Sequence, residues 1–215
     1  MIDRLLQLLF PPKCVLCGKL LEKGQKDLCP HCESHAPDFH GAKKKISFIA
    51  GWTAVWYYEG KVRESLVRYK FHNKRNYAAA YGKFLALRLT REEMTNFDIL
   101  TWVPISAKRK HKRGYDQVQL LARALGAELQ VQPVSTLYKH RHTAPQSTQK
   151  NAAGRKANVL GAYRAVEPAN FRGKRVLLLD DIITTGATAS ECARVLLTAG
   201  AKEVIFAAVA ATDHK

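Results

Sequence analysis

Four apolar residues, two acids, two more apolar residues and a hydroxyl-rich glycine turn follow one another in Val176-Leu177-Leu178-Leu179-Asp180-Asp181-Ile182-Ile183-Thr184-Thr185-Gly186-Ala187-Thr188. The unbroken apolar run suits a strand buried on both faces, as in a parallel sheet. Two acids stand at the carboxyl end of this strand. The loop after them leads into a helix with Ala189, Cys192, Ala193 and Leu196 on its buried stripe, ended by Gly200. Open α/β sheets bind their ligands just outside such strand ends. Thr184, Thr185 and Thr188 offer hydroxyls, Gly186 permits close backbone approach, and the amides at the helix start favour a phosphate. The acids can accept hydrogen bonds from sugar hydroxyls. A strand, capped turn and helix without a ligand is the competing reading, since Thr and Asp are ordinary turn residues. Adjacent acids at the end of a buried strand have little purpose in it.

A second unit of the same kind lies upstream. Asp98-Ile99-Leu100-Thr101-Trp102-Val103 reads as a buried strand ended by Pro104, and a helix with Val118, Leu121, Ala122 and Leu125 inside is expected to close at Gly126. The connection, residues 104–114, reads as a basic loop. Its six consecutive basic or imidazole side chains at 108–113 suit an anion site and equally a nucleic-acid contact. Residues 204–210 supply a further buried strand, and right-handed crossovers place these strands in one parallel sheet.

Residues 46–58 include Trp52, Trp56, Tyr57 and Tyr58 and suit one or two antiparallel strands around Gly51. Their aromatics suit core or hood packing, with a base-stacking platform as the alternative. Val62, Leu66 and Tyr69 follow at helical spacing, and a second helix carries Tyr81, Phe84, Leu85 and Arg88 on one side. Lys61, Arg63, Arg68, Lys70, Lys74 and Arg75 are opposed only by Glu64, which predicts a positive face, solvated or anion-binding. Residues 134–137 are a short strand candidate. The polar segment 138–159 has the length of a functional lid or a disordered loop, and residues 167–175 form a polar connection turned by Gly173.

Cys14 and Cys17, then Cys29 and Cys32, form two pairs with two residues inside each and eleven between them. Each pair presents two thiolates from one tight turn, with Gly18 and Pro30 assisting, and together they make a closed four-sulfur zinc site of structural type. The segment around them holds few large apolar groups, so metal binding supplies much of its folding free energy. A redox pair is the rival reading and leaves two matched pairs unexplained. His31, His35 and His40 are either substitute ligands or solvated loop residues, and Cys192 belongs to the core.

With 35 Lys and Arg against 18 Asp and Glu, the formal charge of +17 attracts polyphosphates, nucleic acid or anionic membrane. No run of eighteen apolar residues exists, so no transmembrane helix is expected. Residues 1–10, stopped by Pro11 and Pro12, are too short and interrupted for a signal peptide; they suit a short amphipathic helix docking on the zinc module or touching a membrane. A cytoplasmic location follows, and the metal-type cysteine pattern agrees.

The stretch 176–188 resembles, at every position, the phosphoribosyl-pyrophosphate (PRPP) signature of type I phosphoribosyltransferases. Val103-Pro104-Ile105-Ser106, then Arg113-Gly114-Tyr115-Asp116-Gln117, then Gln146, Arg155 and Asn158 at their spacing, are similar to the ComF-type (ComFC-like) competence proteins. That family joins a four-cysteine zinc module to a phosphoribosyltransferase-like domain and usually has Asn where this chain has Asp116. The resemblance implies an α/β fold: a type I phosphoribosyltransferase-like parallel sheet flanked by helices over residues 43–215, and a zinc module over residues 1–42. It implies PRPP bound with Mg2+, with Asp180 and Asp181 as catalytic acids on the ribose hydroxyls and Asp181 also stabilising charge or acting as a base. Thr184, Thr185, Gly186, Ala187 and Thr188 would hold the 5′-phosphate. Ser106, Lys108 and Arg109 would hold pyrophosphate, and a flexible loop with Arg141, Gln146 and Arg155 would close over both. Zn2+ at Cys14, Cys17, Cys29 and Cys32 is structural. The implied partners are single-stranded DNA, a ComFA-like ATPase and the DNA-uptake machinery at the inner face of the membrane. The activity implied is either phosphoribosyl transfer to an acceptor the sequence does not name, or nucleotide binding without turnover.

Overall fold

A computed structural model describes residues 11–40, 44–141 and 159–212. In chain order the elements are α1 (Pro30–His35), β1 (Gly51–Tyr57), α2 (Gly60–Phe71), α3 (Tyr77–Arg91), β2 (Ile99–Trp102), α4 (Ala107–Arg113), α5 (Gln117–Leu129), β3 (Leu137–Lys139), β4 (Tyr163–Ala165), β5 (Arg175–Ile183), α6 (Ala187–Thr198) and β6 (Glu203–Ala211). The expected parallel sheet has the order β1-β6-β5-β2, and β3 and β4 form a separate antiparallel ribbon. Each sheet face is covered. One core packs Leu177, Leu179 and Ile205 against α2, α3, α5 and the cysteine module, and the other packs Val176, Leu178 and Phe206 against α6 and the ribbon.

Residues 46–58 form one strand and not an antiparallel pair. β1 runs parallel to β6, Gly51 opposite Ile205 through Tyr57 opposite Ala211. Its five interior residues are all buried, the demand of a parallel sheet covered on both faces. Residues ahead of it make a turn instead, with Phe48 at φ 67°. The free edge of β1 is covered by the module's own exit: Phe39 N donates to Val55 O at 2.9 Å and Tyr57 N to Pro37 O at 2.7 Å.

The expected loop at 104–114 is largely helical. Straight-chain Lys and Arg are good helix formers, Ser106 Oγ accepts from Arg109 N, and Gly114 at φ 75° ends the turn. Gly126, the expected stop of α5, lies inside it; the left-handed cap is Gln130. The glycine serves a close approach, because a Cβ there would stand 2.3 Å from Val131 O. The strand expected at 134–137 is displaced to β3, while Val134 N donates to Leu100 O at the sheet edge. Residues 1–10, the domain boundary at 42/43, and Gln146, Asn151, Arg155 and Asn158 lie outside the described residues.

Candidate functional site

The four cysteine sulfurs of the N-terminal module lie within 4.8 Å of one another, and Cys17 Sγ and Cys29 Sγ are 3.7 Å apart. Zinc–sulfur bonds near 2.3 Å in a tetrahedron require sulfurs about 3.8 Å apart, so the set fits one Zn2+. Gly18 N donates to Cys14 O at 2.8 Å to close the first turn, and Cys29 caps α1 ahead of Pro30 for the second. Burial works against the Cys14 thiolate, but backbone amides of Cys17, Cys29 and Leu16 outweigh it and bring its pKa down to about 7. Burial and the neighbouring thiols push Cys32 up. Four crowded sulfurs of this kind call for a dication. Among the described residues no histidine joins them: His31 and His35 stack on each other, exposed. The cysteine module is fastened to α2, whose Ser65 Oγ donates to Val15 O and Arg68 Nη2 to Leu16 O, and its exit to α3, whose buried Arg88 donates to Phe39 O and Asp38 and also to Val55 O of β1.

The second site lies where β5 outruns its neighbour. β2 pairs with β5 only from Val176 to Leu179, and Val103 N makes the last bond, to Leu179 O at 2.9 Å, before Pro104 turns the chain away. From Asp180 onward β5 keeps β6 on one side and opens a crevice on the other. Strand alternation separates the two acids. Asp181 continues the Leu177–Leu179 face and is 3% exposed; Lys70 Nζ of α2 pairs with its Oδ1 at 2.8 Å and Gln117 Nε2 of α5 donates to its Oδ2 at 3.1 Å. Lys70 is therefore not part of an exposed positive face. Asp180 is half-buried and accepts only from the Asp181 amide, at 2.8 Å, among the hydrogen bonds of the described residues. Burial, then Asp181 beside it, raises its pKa well above the usual carboxylate range, with Lys70 opposing.

The loop that follows packs closely at its glycine. Gly186 sits at φ 76°, where a side chain is strained, and a Cβ would meet Ile46 at 3.1 Å. Thr185 Oγ1 accepts from Ala187 N, and α6 starts with no side-chain cap from Gly186. Residue 46 thus seals the back of the phosphate-type turn, which gives the segment before β1 a place in the site.

Across the crevice, α4 carries exposed Lys108 and half-buried Arg109, whose pKa is lowered by burial and by Arg113. Beside it stands Lys139 at the end of β3, its Nζ 3.2 Å from Tyr163 Oη and 4.9 Å above the Tyr163 ring. Burial, then Arg109, brings the Lys139 pKa down to about 8, and Asp180 pulls it back up. Lys139 thus feels the charge of both Arg109 and Asp180. Arg141, in contrast, is exposed and donates to Leu160 O at 2.7 Å. Asp116 is buried and joins two loops. Its Oδ1 accepts from Val118 N at 2.9 Å and Gln119 N at 3.1 Å, and its Oδ2 from Ile105 N at 3.2 Å.

Known proteins fit this geometry. A family model for phosphoribosyl transferase domains matches residues 112–215, and one for double zinc ribbon domains matches residues 5–42. The chain is 29% identical to the DNA utilization protein YhgH of Escherichia coli K12, over 89% of its own length and 86% of the relative's. It is 28% identical to competence protein ComFC of Streptococcus pneumoniae, over 89% and 84%, and 27% identical to competence protein F of Haemophilus influenzae, over 91% and 95%. Over about nine-tenths of its length the chain is thus similar to proteins of the ComF type.

The residues of the site that sequence reasoning missed are Lys70, Gln117 and Lys139. Gln117 stood inside the quoted family motif with no role. Lys70 was counted with the solvated charges, and Lys139 lay in an undifferentiated polar segment. Alternation along β5, applied to the two acids, is the signal that predicts a separate partner for each. No helix among the described residues is long and apolar enough to cross a membrane.

Proposed function

We propose that the chain binds the ribose 5-phosphate group of PRPP with Mg2+ in the crevice beyond β2 and works in DNA uptake, a role supported by its similarity to proteins named for competence. The observation that carries the reading is the open end of β5, which runs past β2 and leads through Asp180 into a left-handed glycine turn at the start of α6. Thr184, Thr185, Gly186, Ala187 and Thr188 take the 5′-phosphate through hydroxyls and amides. Asp180 accepts from the ribose hydroxyls, while Asp181 is held by Lys70 and Gln117 and fixes α2 and α5 against the site. Ser106, Lys108 and Arg109, joined by Lys139, face the pyrophosphate.

A Mg2+ ion suits this donor set, because it binds through one or two carboxylates together with substrate phosphates, and a desolvated acid such as Asp180 is kept ionised by a dication. When bound, it supplies charge neutralisation at the pyrophosphate oxygens. In the transfer reaction a nucleophile's lone pair forms the new bond to C1 of the ribose. The C1–oxygen bond breaks with its electrons leaving on pyrophosphate, whose charge Arg109 and Lys139 offset. Calorimetry with Mg2+ and PRPP tests the binding: heat is expected that vanishes in Asp180→Ala, and none at millimolar PRPP overturns the reading. Screening nucleobases for pyrophosphate release then tests turnover.

The excess of positive charge supports a second reading, single-stranded DNA binding without turnover. A gel shift that weakens steeply with salt is its expected mark, and absence of a shift at low salt counts against it.

A further inference from the structure

We infer that one face, built from the end of α2, the turn after it and α4, is a track for single-stranded nucleic acid, with Phe71 as the base-stacking platform at its centre. The inference rests on the nucleic-acid reading above and assigns it a place.

Residues 71–76 are all exposed, and Phe71 is 64% exposed. An aromatic ring at a helix end has no reason to stand in water for the sake of the core. The guanidinium of Arg113, from the end of α4, lies 4.8 Å over that ring, and Arg75 lies 4.5 Å over the ring of Tyr115. These two contacts join α2 and α4 into one continuous surface although forty-odd residues separate them in sequence. Lys74, Lys110 and Lys112 of the same two segments are exposed, and neither segment 71–76 nor segment 107–115 contains an acid. Phosphate neutralisation by Lys and Arg together with a sequence-tolerant aromatic surface is what an unpaired strand requires. A duplex hides its base faces and gains nothing from Phe71. A membrane surface requires an apolar stripe, and Phe71 is the one exposed large hydrophobic on this face among the described residues.

Fluorescence anisotropy of a short labelled oligothymidylate, titrated with the full chain at several salt concentrations, tests this. Phe71→Ala should weaken binding about tenfold, without altering the slope of log affinity against log salt, because stacking is lost and no phosphate contact is. Phe71→Trp should restore it. Lys112→Ala should flatten the slope by about 0.7. Calorimetry of PRPP with Phe71→Ala should match the parent chain, so failure of the track and failure of the PRPP reading give different results. The inference is overturned if Phe71→Ala binds the oligonucleotide as the parent does. It is equally overturned if a duplex of the same length binds as tightly and loses as much in Phe71→Ala, or if that substitution instead abolishes capture by phosphatidylserine vesicles.

Discussion

The zinc ribbon and the acid crevice are both polar sites built into one small protein, and they are assembled in opposite ways. The ribbon draws four identical ligands from residues 14–32, two tight turns whose spacing alone brings the sulfurs together. The crevice draws Asp180 and Asp181 from β5, Lys70 from α2, Arg109 from α4, Gln117 from α5 and Lys139 from β3, residues that meet only because a sheet and its helices pack. A locally encoded site can form as soon as metal is present. A globally encoded one exists only when the whole core does.

Metal removal probes that difference with the largest effect. Structural zinc contributes about 10–16 kcal/mol in isolated modules, and the ribbon is expected to unfold on chelation. Because Ser65 and Arg68 of α2 donate to the carbonyls of Val15 and Leu16, hydrogen exchange should also quicken in α2. Ribbon amides that exchange while α2 keeps full protection would mean that the two regions are energetically separate.

The adjacent acids of the crevice should respond to removal in opposite directions. Asp181→Ala leaves the half-buried Lys70 ammonium without its partner and should cost about 3 kcal/mol in denaturant melts. Asp180→Asn should stabilise by about 1 kcal/mol at neutral pH while abolishing PRPP binding. The sign follows from the raised folded pKa of Asp180. Its contribution to stability is fully present below the ordinary aspartate range and is lost as pH rises through the folded value, so the gain from Asn appears only above that range. Equal destabilisation by both substitutions would show that the acids act as one pair after all.

This contrast also marks how far the sequence was readable. The parallel sheet, the glycine turn and the cysteine site were legible because each is written in a contiguous pattern: a buried run, a turn composition, a repeated spacing. The partners of the acids were not. Lys70 looks like every other lysine of a basic helix, and only the docking of α2 on β5 makes it a counter-ion. The basic stretch 108–113 read as a loop because charge dominated it, although its residues are good helix formers between a serine cap and a glycine stop. Gly126 read as a terminator, and the close approach of Val131 that requires it is a tertiary fact.

Asp116 falls between the two cases, and its substitution should have a smaller effect. Asn keeps an oxygen for the amides of Val118 and Gln119 but turns an amide group toward Ile105 N. Thermal melts of Asp116→Asn should reveal a loss of about 1 kcal/mol. Pyrophosphate affinity should fall with it, because Ile105 immediately precedes the Ser106 cap that starts α4. Unchanged affinity would separate the cap from the crevice.

The smallest expected effect is a pH dependence specific to one side chain. Lys139 faces Arg109 from α4, Arg141 beyond β3, Tyr163 from β4, Asp180 from β5 and Cys192 from α6, and burial with Arg109 holds its pKa near about 8. Below that value it carries the charge that offsets an anion; above it the charge is lost, whereas Arg109 keeps its own. Pyrophosphate affinity measured by calorimetry should therefore decline severalfold as pH is raised through 8, and Lys139→Arg should remove the decline, since a guanidinium stays protonated there. A bound anion itself raises the lysine's pKa, so the apparent pKa of Lys139 should move upward as the pyrophosphate concentration increases. A pH-independent affinity in the parent chain would place Lys139 outside the crevice's electrostatics and leave Arg109 as the cation opposite Asp180.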